Sequence, residues 1–104
     1  MTPEELEKRT KAGQAPALID VRSGFEFASG HISGAVHAPL VNVLKAVQAA
    51  STAKPDLLVI VCEHGPRAQL AKGLLRWHGY KNTELLDGHM DQWRRSGRPV
   101  KKDL

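Results

Sequence analysis

Residues 57–67 read Leu57-Leu58-Val59-Ile60-Val61-Cys62-Glu63-His64-Gly65-Pro66-Arg67. An unbroken apolar run, rich in β-branched side chains, ends at the only cysteine in the chain. Such a run suits a strand buried on both faces. A helical pattern follows at once, with Leu70, Ala71, Leu74 and Leu75 on one face at 3.6-residue spacing. Cys62 is therefore expected at the carboxyl end of a central strand. A short loop turns from it into a helix N-terminus, at the edge where open α/β sheets place their ligands.

The loop has the composition of an anion cradle. Backbone N–H groups at a helix start lack intrahelical partners, and the helix dipole adds partial positive charge there. Gly65 lets the backbone curl without a Cβ clash. Pro66 suits the first helical position, where its missing N–H would have no partner anyway. His64 and Arg67 add potential and fixed positive charge. These groups favour the thiolate, which is the nucleophilic form, and the neighbouring Glu63 opposes them. A lone cysteine is commonly a small buried apolar residue. What sets Cys62 apart is the ring it forms with His64, Gly65, Arg67 and an oncoming helix.

Working outward, strands alternate with helices. Thr2-Pro3-Glu4-Glu5 is a helix start, with Thr2 as N-cap, Pro3 at the first position and Glu5 closing a capping box; the helix ends before Gly13. Residues 17–21 form a short strand, and Ser23-Gly24 opens a brief helix over 25–29 that Gly30 closes. Residues 35–37 are a short strand broken by Pro39. Val43, Leu44 and Val47 stripe a helix ending near Ala50, and 51–56 is a polar loop with Pro55. After the central strand and its helix, which Gly79 caps, residues 83–86 form the next strand. Asp87-Gly88 then turns into a helix over 90–95, closed by Gly97 and Pro99. This alternation predicts an α/β fold, a parallel sheet with helices on both faces.

A chain of 104 residues is enough for one domain with one core, so 1–104 is read as a single domain. Apolar content of 41% and charged content of 25% are ordinary for a soluble globular protein. One cysteine excludes an internal disulfide, the polar amino terminus does not read as a signal peptide, and no apolar run reaches the roughly 20 residues of a membrane span. The expectation is a cytoplasmic protein without a membrane partner. Net charge is +4, much of it in Arg94, Arg95, Arg98, Lys101 and Lys102. That run lacks interleaved aromatics and a nucleic-acid motif. It reads as a solvated end rather than a nucleic-acid patch, useful for attracting small anions. No His/Cys/Asp/Glu set has metal-ligand spacing, and no cofactor is implied.

Three stretches resemble the rhodanese family of sulfurtransferases, in order and over nearly the whole chain. The first is Leu18-Ile19-Asp20-Val21-Arg22 through Glu26-Phe27, Gly30-His31-Ile32, Gly34-Ala35 and Pro39. The second is Cys62-x-x-Gly65-x-Arg67, similar to the family's catalytic loop. The third is Leu86-Asp87-Gly88 through Trp93, Gly97 and Pro99-Val100. The resemblance implies an open parallel sheet of about four to five strands and a single-domain rhodanese. It implies that Cys62 accepts a sulfane sulfur from a small anionic donor such as thiosulfate and holds it as a persulfide. Cyanide or a thiol, a protein thiol included, then takes the sulfur. Covalent catalysis in two steps and a cradle of N–H groups for the anionic sulfur suit that chemistry. The cradle would be Glu63, His64, Gly65, Pro66, Arg67 and Ala68, with Arg67 orienting the anionic donor. Asp20, Arg22, Gly88 and His89 would support it.

The chain departs from the family pattern at several places. Ala68 stands where Ser or Thr is frequent, which removes a hydroxyl from the sulfur's surroundings. Pro66 removes an N–H, His89 replaces a second glycine, and His37 stands where Asn is common. The sequence opens at the first helix, so the family's usual preceding edge strand is expected to be missing. These departures bear on rate and donor choice and leave the nucleophile in place. Arg22 either fixes the loop or pairs with Glu26 four residues on. His31 reads as a hydrogen-bonded structural histidine, and Trp77 and Trp93 as core residues. Two rivals remain: a Cys-dependent phosphatase or arsenate reductase, and a non-catalytic binding module on the same fold. The first uses five residues between Cys and Arg where this loop has four, Glu63 to Pro66. The second commonly lacks the cysteine.

Overall fold

The computed structural model describes residues 1–50, 53–54 and 56–103. The polar loop expected over 51–56 falls partly outside them, Pro55 included. Strands β1 (Ala17–Asp20), β2 (Val36–His37), β3 (Leu58–Val61) and β4 (Thr83–Leu85) form one sheet in the order β2-β1-β3-β4. All pairings are parallel, with Ile19 opposite Ile60 and Val36, and Leu58 opposite Thr83. The helices are α1 (Pro3–Lys11), α2 (Gly24–Ser29), α3 (Val43–Ala49), α4 (Pro66–Trp77) and α5 (His89–Arg95), with a 3-10 turn at Leu40–Asn42. The expected open parallel sheet is present.

β3 explains both layers. Side chains alternate across a strand, so Leu58, Ile60 and Cys62 enter one apolar cluster and Val59 and Val61 the other. The first cluster takes Val43 and Val47 of α3 and Ala68, Ala71 and Leu75 of α4. The second takes Leu6 of α1 and Met90 and Trp93 of α5. Each fully buried aliphatic side chain is worth roughly 1.5–3 kcal/mol, and all four β3 residues are completely buried. β3 is therefore held rigidly from both sides, and so is the residue that follows it.

Several expectations change. The α4 face is Ala68, Ala71 and Leu75, whereas Leu70 and Leu74 are 65% and 40% exposed. Trp93 is a core residue, but Trp77, at the last position of α4, is 83% exposed. Thr2 caps α1 by accepting the Glu5 N–H at 3.1 Å, yet the Glu5 carboxylate accepts from Arg9 instead of closing a capping box. The basic end is not simply solvated. Arg98 pairs with Glu7 at 2.8 Å and lies over the Trp93 ring, and the Lys101 backbone forms a bridge with His31.

Candidate active site

β3 delivers Cys62 to the carboxyl edge of the sheet, fully buried, where Gly65 starts α4. The Gly65 N–H donates to Cys62 Sγ at 2.9 Å. Gly65 has φ +128, and a Cβ there would come within 3.3 Å of the His89 ring. Glycine is thus needed for both turn and space. Pro66 occupies the first helical position. The N–H groups of His64, Arg67 and Ala68 have no partner among the described residues, as a helix start requires. They leave donors available at the end of α4 that meets the sulfur. Ala68 is buried in the same cluster as Cys62.

α5 holds the other side of the loop. Met90 N–H donates to the Cys62 carbonyl at 3.0 Å and Asp91 N–H to the Glu63 carbonyl at 3.2 Å. The Cys62 N–H donates to His89 Nδ1 at 3.2 Å. Gly88 enters α5 at φ +75, and a Cβ there would sit 2.3 Å from the Gln92 Cβ, so no larger residue fits. Burial pushes the His89 pKa down, with His64 acting the same way and Asp87 opposing.

The charged side chains are paired. Asp20 and Arg22 are buried together, with Arg22 Nη2 2.9 Å from Asp20 Oδ2 and 2.8 Å from the Gly30 carbonyl. Arg22 therefore does not pair with Glu26, as α-helical spacing allowed. Glu26 instead takes Arg67 bidentately, at 2.6 and 2.9 Å, across 41 residues of sequence. The Arg67 hydrogen bonds, more than those from Ser23, lower the Glu26 pKa from 4.5 to about 2 against the pull of partial burial. Glu26 in turn raises that of Arg67, to which the nearby Cys62 also contributes. Arg67 is not a free cation waiting for a donor. Glu63 turns to Arg94 and, at 3.5 Å, to Arg22, so its charge is compensated instead of opposing the thiolate. His64 is exposed, its Nδ1 4.0 Å from Asp91 Oδ2. His31 bonds the Phe27 carbonyl at 2.8 Å and stacks on the Phe27 ring, the structural role expected. His37 bonds the Arg22 carbonyl at 2.9 Å.

Sequence reasoning missed Glu26 and Arg94 as loop partners. A signal for Glu26 was present: Ser23-x-x-Glu26 is a capping box, and it forms here. Among the described residues, no group of three His, Cys, Asp or Glu side chains is placed to hold a metal ion, and no helix is long and apolar enough to cross a membrane.

A buried cysteine at a central strand's carboxyl end, its sulfur bound by the amide that opens a helix, defines an α/β protein with a thiol held at a helix start. The family model for the Rhodanese-like domain matches residues 2–96, and the chain belongs to that family. It is 34% identical over 93 residues to the thiosulfate sulfurtransferase GlpE of Pseudomonas putida (strain GB-1), covering 88% of this chain and 81% of that one. Its identity to the enzyme of the same name from Pseudomonas fluorescens (strain SBW25) is 33%, over 78% and 72% of the two chains. The crystal structure of a thiosulfate sulfurtransferase from Pseudomonas aeruginosa superposes with a TM-score of 0.91 at 26% identity, over all of this chain and 20% of that one. The human single-domain sulfurtransferase TSTD1 gives 0.78 at 27% identity, over 91% and 94%.

Proposed function

We propose that this chain is a thiosulfate sulfurtransferase working through a persulfide on Cys62. The observation that carries the reading is the 2.9 Å bond from Gly65 N–H to Cys62 Sγ at the start of α4, in a chain whose relatives bear that name. The Cys62 thiolate attacks the outer sulfur of thiosulfate. The sulfur–sulfur bond of the donor breaks, its electron pair leaves with sulfite, and Cys62 carries a persulfide whose terminal sulfur is anionic. Cyanide or a thiolate then attacks that terminal sulfur. The new bond gives thiocyanate or an acceptor persulfide, and Cys62 leaves as the thiolate. Donors aimed at the place where negative charge resides supply the stabilisation.

In this reading Gly65 and the start of α4 hold the sulfur, and Glu63, Pro66 and Ala68 shape the loop. Arg67, clamped by Glu26, fixes the loop rather than capturing the donor. Asp20, Arg22 and Gly88 support it from the neighbouring elements. Residues 1–104 act as one domain, in the cytoplasm, on small anionic donors and thiol acceptors. Four residues between Cys62 and Arg67 enclose a smaller ring than the phosphatase loop, suited to one sulfur atom better than to a phosphoryl group. The test is mass spectrometry after thiosulfate treatment, with Cys62→Ser as control. The expected result is a gain of one sulfur on Cys62, removed by cyanide, and no transfer by the folded Ser variant. Turnover of an aryl phosphate that depends on Cys62, without sulfur uptake, would overturn the reading. An unmodified Cys62 with neither activity would point to the binding module.

A further inference from the structure

His89 is the one non-glycine residue with positive φ among the described residues, at +53. That conformation is uncommon for a residue with a Cβ, and such residues gather at functional sites. It follows Gly88 at φ +75, so two consecutive left-handed residues swing the ring inward, where it is 6% exposed. The ring then bonds one end of the turn that carries the thiol and fills the space beside the other. Nδ1 accepts the Cys62 N–H at 3.2 Å, and Nε2 lies 3.3 Å from where a Cβ of Gly65 would stand. The Gly65 N–H is the group that donates to Cys62 Sγ. An Nδ1 that accepts leaves the ring proton on Nε2. An imidazolium has no acceptor, so a second proton breaks the bond to the Cys62 N–H. Burial resists that proton, His64 on the loop resists it further, and Asp87 on the approach to α5 favours it.

We propose that His89 is a positioning residue of the sulfur-transfer site: the neutral, Nε2-protonated imidazole holds the Cys62 amide and the Gly65 turn in register. Protonation of the ring at Nδ1 releases the Cys62 amide and with it the brace on the turn. This rests on the sulfurtransferase reading for its effect on rate, and on geometry alone for the lock. Glycine at this position would relax the backbone and lose the acceptor. Asparagine would keep the left-handed conformation, which it tolerates well, and cannot titrate.

Nitrogen-15 NMR of the histidine rings and backbone, from neutral to mildly acidic pH, tests the lock in the unmodified protein. The expected result is an Nε2-protonated His89, with the Cys62 and Gly65 amide resonances shifting at the same midpoint as the ring. An Nδ1-protonated ring, or a Cys62 amide indifferent to His89 titration, overturns the proposal without touching the sulfurtransferase reading. The rate test compares the thiosulfate half-reaction of the unmodified protein, His89→Asn and His89→Gly across the same range. The unmodified rate should fall about tenfold further on acidification than that of His89→Asn, the equivalent of one hydrogen bond. His89→Gly, which also cannot titrate, should lose the extra fall on acidification as His89→Asn does. Identical acid limbs in the unmodified and Asn proteins overturn the positioning role. A lock seen by NMR in a protein that transfers no sulfur at any pH overturns the sulfurtransferase reading instead.

Discussion

Replacing Glu26 with Gln removes the carboxylate that Arg67 grips through both terminal nitrogens, at 2.6 and 2.9 Å. The displacement of the Glu26 pKa from 4.5 to about 2 corresponds to a ceiling of about 3 kcal/mol. Both side chains are about a third exposed, 38% for Arg67 and 30% for Glu26. Solvent screening reduces most exposed pairs to about 1 kcal/mol or less, while bidentate, charge-assisted geometry retains more than a single contact. Glu26→Gln is therefore expected to cost about 1–2 kcal/mol at neutral pH. The folded pKa lies below the unfolded one, so the contribution is complete above about 4.5 and is lost as pH falls toward about 2. Urea denaturation of the unmodified protein, Glu26→Gln, Arg67→Gln and the double variant, followed by tryptophan fluorescence, measures the coupling. The stability gap between the unmodified protein and Glu26→Gln should shrink by about half between about pH 5 and about pH 3. The clamp also predicts similar activity losses with thiosulfate and with a neutral persulfide donor in both single variants. A coupling below about 0.3 kcal/mol, or a gap that ignores pH, would show a solvated contact and refute the clamp. An Arg67→Gln loss confined to thiosulfate would return that arginine to donor binding.

Two further substitutions probe the frame around the loop. Leu75→Ala, at a fully buried position of α4, should lower stability by about 2–5 kcal/mol. Leu70→Ala, on the exposed side of the same helix, should stay within about 0.5 kcal/mol of the unmodified protein in the same urea titrations; the reverse order would mean the helix face is misassigned. Asp20→Ala strips the closest carboxylate from Arg22, which stays buried with the Gly30 carbonyl at 2.8 Å and Glu63 at 3.5 Å, and should destabilise by up to about 3–5 kcal/mol. A loss below about 1 kcal/mol would show that Arg22 reaches water once released.

The sheet and the place of Cys62 were legible because one signal dominates: the apolar run of β3 has no polar position and stops where the loop begins. Glycines at 65 and 88 marked turns that prove to have positive φ. The face of α4 was misread for a definite reason. Leu70 and Leu74 share a stripe with Ala71 and Leu75, and spacing alone does not say where along that arc the sheet lies. The small Ala68 and Ala71, which let the helix approach closely, mark the contact, and the large leucines lie beyond its edge. Trp77 drew attention by size, yet it sits at the last position of α4, past the point where the sheet can cover it. Long-range ion pairs were the least legible. Local spacing offered Glu26 to Arg22, and only the crossing of β1 next to β3 brings Glu26 to Arg67. The family resemblance counts His89 only among the residues that support the cradle. Its contact with the Cys62 amide depends on a left-handed backbone, hinted at only by the glycine usual at this position and uncommon for a histidine.

These pairings bear on what would hold an anionic sulfur. Each charged side chain closest to Cys62 in the chain or across the sheet edge already has an opposite charge: Arg22 has Asp20, Arg67 has Glu26, and Glu63 has Arg94 and Arg22. Compensated pairs contribute little net field at a neighbouring atom, since the two potentials largely cancel. What remains directed at the sulfur is the Gly65 N–H, at the start of α4. Peptide dipoles fixed by a helix need no reorganisation when charge arrives. They also sit against a sulfur that is fully buried, where mobile ions screen poorly. The ion pairs then serve to keep the loop in shape, and the backbone carries the electrostatics. On that division of labour, raising the salt concentration should slow the arrival of an anionic donor more than it destabilises the persulfide once formed. A persulfide whose lifetime falls in step with the rate of its formation, across a salt series, would place the stabilising charge on side chains after all.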